Sequence, residues 1–460
     1  MVGLIIKEGE PMNISSIITV NASFRPDYRA LICGDDGREF TWSEFDDIVN
    51  RLGNAFLKLG AQKGELVAIF LPNSPEFLFA YFAIARIGAI ALPFNILFRT
   101  PEISYICNDS QARFFIGSAS ETRERVVEER DRFTHLEQII TVGEKVEGCI
   151  DFYEFIAGES EQLTPVKCGL DEIAMMLYTS GTTGRPKGAM LSYNNLLSIG
   201  TVSASVLHIN DRDLLLTGAP YCHIFFVLTV LGTFKAGATL VTSRRFDAIK
   251  TLELIDAYQI THYAGVPTML ILLLEKYPGR KYNLKSWRYV FCAGAAMPVG
   301  YIDQIEEMFD VDYIEMYGAT ETSSVVTYNR LGHTRKGSVG QVAFGNQVII
   351  ADDEGTPLGL EEVGEVLIKG PGIFKAYWHL PEASQAAFIN GWYRSGDMGR
   401  MDKDGYLYLL DRKKDVIISG GYNIYPGEVE AVIMEHPKIK EVAVVGIKDP
   451  LWDQVAKAYV

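Results

Sequence analysis

The chain has 460 residues, 48% of them apolar and 11% aromatic, and a formal net charge of −15. That length excludes one small domain and fits two or three with sizeable cores. The acidic balance argues against a nucleic-acid partner, since phosphate backbones attract basic surfaces, yet it permits a local basic pocket for a nucleotide.

In chain order, MVGLIIKEGEPMN holds too short an apolar run for a signal peptide. Thr41 and Glu44 form a capping box, followed by Phe45, Ile48, Leu52, Phe56 and Leu59 at helical spacing and by Gly60 as the stop. Residues 65–71 read as a strand, Ser74-Pro75 as a helix start and residues 90–94 as a strand. The most apolar stretch, residues 77–94, is broken by Arg86, Gly88 and Pro93, which predicts buried helix and strand and no membrane span. Further strands are predicted at 173–178, 239–242, 262–266, 289–293 and 313–317, with helix from Tyr193. This alternation predicts an α/β fold on parallel sheets. Several strands end in small residues, and ligands in such sheets sit beyond the carboxyl ends of strands. From Gly337 the texture changes to the short strands and turns of a β-rich subdomain. After DRKKD, residues 411–415, a helix at 427–435 and strands at 441–447 and 455–460 predict a small α+β domain. The expected division is 1–412 and 413–460. Six scattered cysteines with no CxxC pair suggest neither zinc nor disulfides, and a reduced cytoplasmic setting.

The stretch TSGTTGRPKG, residues 179–188, has phosphate-gripping chemistry. Gly181 and Gly184 let backbone N–H groups approach anionic oxygens; Ser180, Thr182 and Thr183 add hydroxyls, and Lys187 a charge. It is not a Walker loop, because Gly188 follows the lysine where a magnesium-binding hydroxyl is needed. A flexible surface linker is the plain alternative.

TSGTTGRPKG resembles the signature loop of the adenylate-forming (AMP-binding) superfamily, in its acyl-CoA synthetase branch. YGATE, residues 317–321, is similar to that family's YGxTE motif, WYRSGD at 392–397 to its ribose segment, and DRKKD with SGGYNIYP at 419–426 to its hinge and following loop. The motifs stand in family order and span nearly the whole chain. The resemblance implies an ATP-dependent acyl-CoA ligase that forms an acyl-AMP, releases pyrophosphate and passes the acyl group to CoA, with Mg2+. The carboxylate is already ionised, so positioning and cationic stabilisation carry the reaction.

By that resemblance Thr179 to Lys187 meet the β- and γ-phosphates, Thr320 the α-phosphate, and Glu321 holds magnesium. Lys187, Thr320 and Glu321 form the catalytic set. Tyr317 stacks on adenine beside Gly318, and Ala293, Gly294 and Ala295 line it with backbone. Asp397 accepts the ribose hydroxyls, supported by Arg412. Ser419, Gly420, Gly421 and Tyr422 line the CoA path, and Lys414 is the hinge. His223 is a gate or wall of the acyl pocket, or a core histidine. The remaining pocket residues, Ile224, Phe226, Val227, Val266, Ala296 and Val325, are apolar. No carboxylate at 223–228 could pair with an ammonium, which disfavours an amino acid. Phe226 stands where many relatives carry glycine and would shorten the pocket, pointing to a short- to medium-chain or aryl acid. The family's small domain ordinarily continues past this point to a lysine that reaches the α-phosphate. The chain as written is therefore expected to adenylate slowly. Two alternatives stay open: a nucleotide- or acyl-adenylate-binding module, and a ligase that loads a carrier-protein thiol. Peripheral contact with a membrane and the oligomeric state are left open.

Overall fold

The computed structural model describes residues 13–179, 185–279, 281–419, 422–434, 436, 438–439, 441–449 and 452–460. Ser180 to Gly184, Gly420 and Gly421 lie outside the described residues.

The first helices follow their sequence signals. In the helix Trp42–Lys58 the Thr41 hydroxyl accepts from the Glu44 amide at 3.2 Å, and the Glu44 carboxylate accepts from the Thr41 amide at 2.8 Å. Ser74 caps Pro75–Arg86 by accepting from the Phe77 amide. Every residue of that helix is buried, including Arg86, whose guanidinium donates to Thr19 at 2.9 Å, Asn50 at 2.6 Å and Asp46 at 2.7 Å. One internal cation thus joins Ser16–Phe24, Trp42–Lys58 and Pro75–Arg86.

Among the described residues, two large sheets carry the α/β part. The eight-stranded sheet runs parallel through Ile173–Thr179, Ile90–Pro93, Leu66–Phe70, Phe114–Ser118, Gln138–Val142 and Ile150–Asp151. Lys187–Ser192 and Ala376–Tyr377 extend its other edge antiparallel. The nine-stranded sheet has a parallel centre of Arg29–Cys33, Thr239–Thr242, Leu214–Thr217, His262–Gly265, Tyr289–Cys292 and Asp312–Ala319. The predicted α/β architecture is what forms, with antiparallel edges added. A five-stranded β subdomain includes Gly364–Lys369, Trp392–Met401 and Leu407–Arg412. Beyond the short turn Lys413–Asp415 comes a four-stranded antiparallel sheet with the helix Pro426–Met434. That helix and the strands Ala443–Asp449 and Asp453–Tyr459 begin and end within two residues of the predicted ones, whereas Ile417–Ser419 and Tyr422–Ile424 form strands where a glycine-rich loop was expected.

One local reading is corrected. Lys187 is not a loop residue; it opens the strand Lys187–Ser192 and faces Thr179 across an antiparallel ladder. The strands Ile173–Thr179 and Lys187–Ser192 are therefore antiparallel neighbours. The two sheets meet at Asn73, beyond the carboxyl end of Leu66–Phe70. Its amide donates to the Ala219 carbonyl at 2.9 Å and accepts from the Tyr221 amide at 2.7 Å, fixing the loop beyond Leu214–Thr217.

Candidate active site

The TE motif lies on a constrained hairpin. Asp312–Ala319 passes through the turn Thr320–Thr322 into the antiparallel strand Ser324–Tyr328. The Thr322 hydroxyl accepts from the Ala319 amide at 2.8 Å, and Ser323 donates to the Gly372 carbonyl at 2.7 Å. Ser323 and Ser324 both hold positive φ, +56° and +106°, a conformation that costs on the order of 1–3 kcal/mol per residue. Gly318 is required there: a Cβ would stand 1.7 Å from the Ser324 carbonyl oxygen. This geometry leaves Thr320 and Glu321 half-buried on the turn.

Glu321 is held from outside its hairpin. Its carboxylate accepts from the Tyr377 hydroxyl at 2.8 Å, and its carbonyl accepts from the Phe374 amide at 2.8 Å. The Lys187 ammonium lies 5.1 Å from the centre of the same Tyr377 ring. Burial, then the neighbouring Glu321 charge, pushes the Tyr377 phenol far above its ordinary pKa. It is a hydrogen-bond donor at any working pH.

Asp397 and Arg412 are cross-strand partners. The guanidinium Nε is 2.9 Å from Asp397 Oδ1, and the Tyr317 hydroxyl donates to Oδ2 at 2.5 Å. Arg412 also donates to the Ser395 carbonyl at 3.2 Å. Burial raises the Asp397 pKa against the opposing pull of Arg412 and Tyr317. The buried Tyr393 phenol is raised by desolvation first and then by Glu321, Tyr377, Tyr317 and Asp397. A carboxylate accepting two hydrogen bonds retains lone pairs for a ribose diol.

The Ala293–Ala296 loop follows Tyr289–Cys292, with Gly294 at φ +94° and Ala295 and Ala296 exposed. Beneath it lies Glu315, which sequence reasoning missed. Its carboxylate accepts from the Met297 amide at 3.3 Å and the Tyr313 hydroxyl at 2.9 Å, and burial pushes its pKa up to about 7. The strand is buried on both faces from Tyr313 to Tyr317, so period-2 alternation offers no sequence signal for it.

The acyl-pocket candidates divide. His223 is exposed, with its pKa lowered by desolvation, and Ile224 and Val266 are half-buried. Phe226 is 1% exposed, its ring 4.5 Å from Tyr81, 5.9 Å from Tyr221 and 6.0 Å from Phe77. Val227 and Val325 are fully packed in the same core. Ser419 is half-buried and pairs with the exposed Tyr422. Lys414 is exposed on its turn, whereas Lys413 is anchored to Asp353 and, at 2.8 Å, to Glu365.

Among the described residues, no group of three or more His, Cys, Asp or Glu side chains could hold a metal. Mg2+ needs no such cage, since it is commonly held by one or two carboxylates plus substrate phosphates, and the half-buried Glu321 carboxylate fits that donor set. No helix among the described residues is long and apolar enough to cross a membrane.

Residues 18–378 match the AMP-binding enzyme family, and residues 428–460 match the AMP-binding enzyme C-terminal domain. The chain is 32% identical over 450 residues to the long-chain-fatty-acid–CoA ligase FadD13 of Mycobacterium tuberculosis, covering 97% of this chain and 88% of that protein. It is 35% identical over 451 residues to the crotonobetaine/carnitine–CoA ligase of Salmonella typhimurium, covering 94% and 86% respectively. The solved structure of the anthranilate CoA ligase AuaEII with anthranoyl-AMP superposes with a TM-score of 0.92 at 29% identity, over 97% of this chain and 86% of that one. The chain belongs to the AMP-binding enzyme family. It is an AMP-forming acid–CoA ligase, with ATP, Mg2+, CoA and a small carboxylic acid as its reaction partners.

Proposed function

We propose that this acid–CoA ligase activates a short- to medium-chain fatty acid or an aryl acid. The observation that carries the reading is Phe226, buried against Tyr81, Tyr221 and Phe77 behind His223 and Ile224. A ring packed there closes the space a long tail would need. An apolar wall without a carboxylate favours an acid free of a cationic group. FadD13 is named for long-chain fatty acids and AuaEII for an aryl acid, so size is the feature on which the relatives diverge.

In this reading residues 179–187, with Lys187, hold the β- and γ-phosphates, Thr320 meets the α-phosphate, and Glu321 holds Mg2+, which neutralises phosphate charge when bound. Asp397, set by Tyr317 and Arg412, receives the ribose. The Ala293–Ala295 backbone borders the adenine, against which Tyr317 stacks. The carboxylate then attacks the α-phosphate without a general base. Residues 413–460 turn about Lys414 to bring Ser419–Tyr422 to the thioester step. Six unpaired cysteines suit a cytoplasmic setting.

The test is acid-dependent AMP release across a series of chain lengths, for the parent and Phe226→Ala. The expected result is a parental optimum at short to medium or aryl acids and a shift to longer acids in the variant. An unmoved optimum, with the variant folded by its thermal midpoint, would remove Phe226 as the pocket floor.

A further inference from the structure

The segment 374–378 joins two parts of the site that are remote in sequence. Its strand pairs with Lys187–Ser192: Ala376 faces Met190 and Tyr377 faces Ala189. The Lys375 amide donates to the Met190 carbonyl at 2.9 Å, and the Trp378 amide to the Gly188 carbonyl at 2.7 Å. On its other side the same segment grips the TE turn, through the Phe374 amide on the Glu321 carbonyl and the Tyr377 hydroxyl on the Glu321 carboxylate. Phe374 supports the Tyr377 ring, with centroids 4.7 Å apart. The face of that ring carries the Lys187 ammonium.

We propose that Tyr377 is a positioning residue for adenylation: its hydroxyl orients Glu321 toward the divalent cation while its ring places Lys187 toward the same triphosphate. The inference rests on the reading of Glu321 as the cation ligand.

Three considerations carry it. Tyr377 donates to Glu321 Oε1, and among the described residues Oε2 has no hydrogen-bond partner. A carboxylate so fixed presents one defined oxygen, which suits the strict geometry that Mg2+ demands. Next, one ring sets the separation between a cation and an anion that act on the same phosphates, so neither collapses onto the other as a direct ion pair. Finally, the ring is held by a strand and by Phe374, so its orientation does not depend on ligand contacts. Tyr377 itself touches no reacting atom in this scheme.

The test uses the full chain and compares affinity for Mn2+·ATP with affinity for metal-free ATP by titration calorimetry, without acid substrate. Tyr377→Phe keeps the ring and its Lys187 contact and removes only the hydroxyl. It is expected to weaken Mn2+·ATP binding roughly tenfold, the scale of a lost hydrogen bond to a charged group, with metal-free ATP binding unchanged. Tyr377→Leu is expected to weaken both, because Lys187 loses its support. Glu321→Gln is expected to weaken Mn2+·ATP, and the double variant with Tyr377→Phe to bind it no worse than Glu321→Gln alone, because Tyr377 acts through Glu321. Additive losses in the double variant, or a Tyr377→Phe protein that binds Mn2+·ATP like the parent while Glu321→Gln does not, would overturn the inference and leave Glu321 as ligand. Unchanged Mn2+·ATP binding in Glu321→Gln would overturn the underlying reading as well.

Discussion

Glu315 shows how one buried carboxylate supports a site without touching it. Its folded pKa rises from 4.5 to about 7, chiefly through desolvation, although the Tyr313 hydroxyl and the Met297 amide favour its charged form. The native state therefore binds more protons than the unfolded state between those values. Stability from this group is full below about pH 4.5 and is lost as pH rises through about 7, a change on the order of 3 kcal/mol at most. Glu365 behaves oppositely: burial would raise it, but Arg394 and Lys413 hold it below its ordinary value, so its contribution is lost on acidification. Glu315→Gln should flatten the decline between pH 5 and 7.5 in unfolding free energy measured with urea, on the order of 1 kcal/mol or more. An unaltered slope would mean that the carboxylate is not titrating in that window. None of this was readable beforehand. Its partners are Tyr313, two residues back on the same strand, and the Met297 amide, and that strand is buried on both faces, so nothing in its sequence singles Glu315 out.

At the scale of elements, the helices were legible because their signals are local. Thr41 with Glu44, and Ser74 before Pro75, each satisfy backbone groups within one turn. The cation that joins those helices was not legible. Arg86 reads as an interruption of an apolar run, yet it is 1% exposed and paired with Asp46. Asp46→Ala would leave that guanidinium buried with neutral partners only. Thermal or urea unfolding should show a loss of about 3 kcal/mol or more; a loss below about 1 kcal/mol would mean that Asn50 and Thr19 suffice. Lys187–Ser192 was missed because KGAMLS holds no β-branched or aromatic residue and reads as the tail of the loop. The turn at Lys413–Asp415 makes a second element-scale expectation. Lys413 is fixed to Asp353 and Glu365, so in the proposed reading any rotation of the following residues would be absorbed just beyond it, at the exposed Lys414. Lys414→Pro, which fixes φ, should slow adenylation and thioester formation unequally in single-turnover assays. Equal effects would place the pivot elsewhere.

Over the whole molecule, four motifs far apart in sequence converge because parallel sheets gather their carboxyl ends and the β subdomain supplies Asp397 and Arg412 from beside them. Lys187, the TE turn and the Asp397–Arg412 pair were legible as parts of motifs. Their arrangement was not, since it depends on Asn73 joining the two sheets and Tyr377 joining Lys187 to Glu321. The acid is the least legible part, because in the proposed reading the pocket depends on how Phe226 packs against Tyr81 and on no motif. The central claim is that these groups form one adenylating site. It is tested most directly by ATP–pyrophosphate exchange with a short-chain or aryl acid, followed by CoA-dependent release of AMP from the same sample. The expected result is exchange that requires both the acid and Mg2+ and falls on the order of tenfold or more in Lys187→Ala, with acyl-CoA and AMP formed in equal amounts once CoA is added. Nucleotide binding without acid-dependent exchange, or exchange indifferent to Lys187, would contradict it.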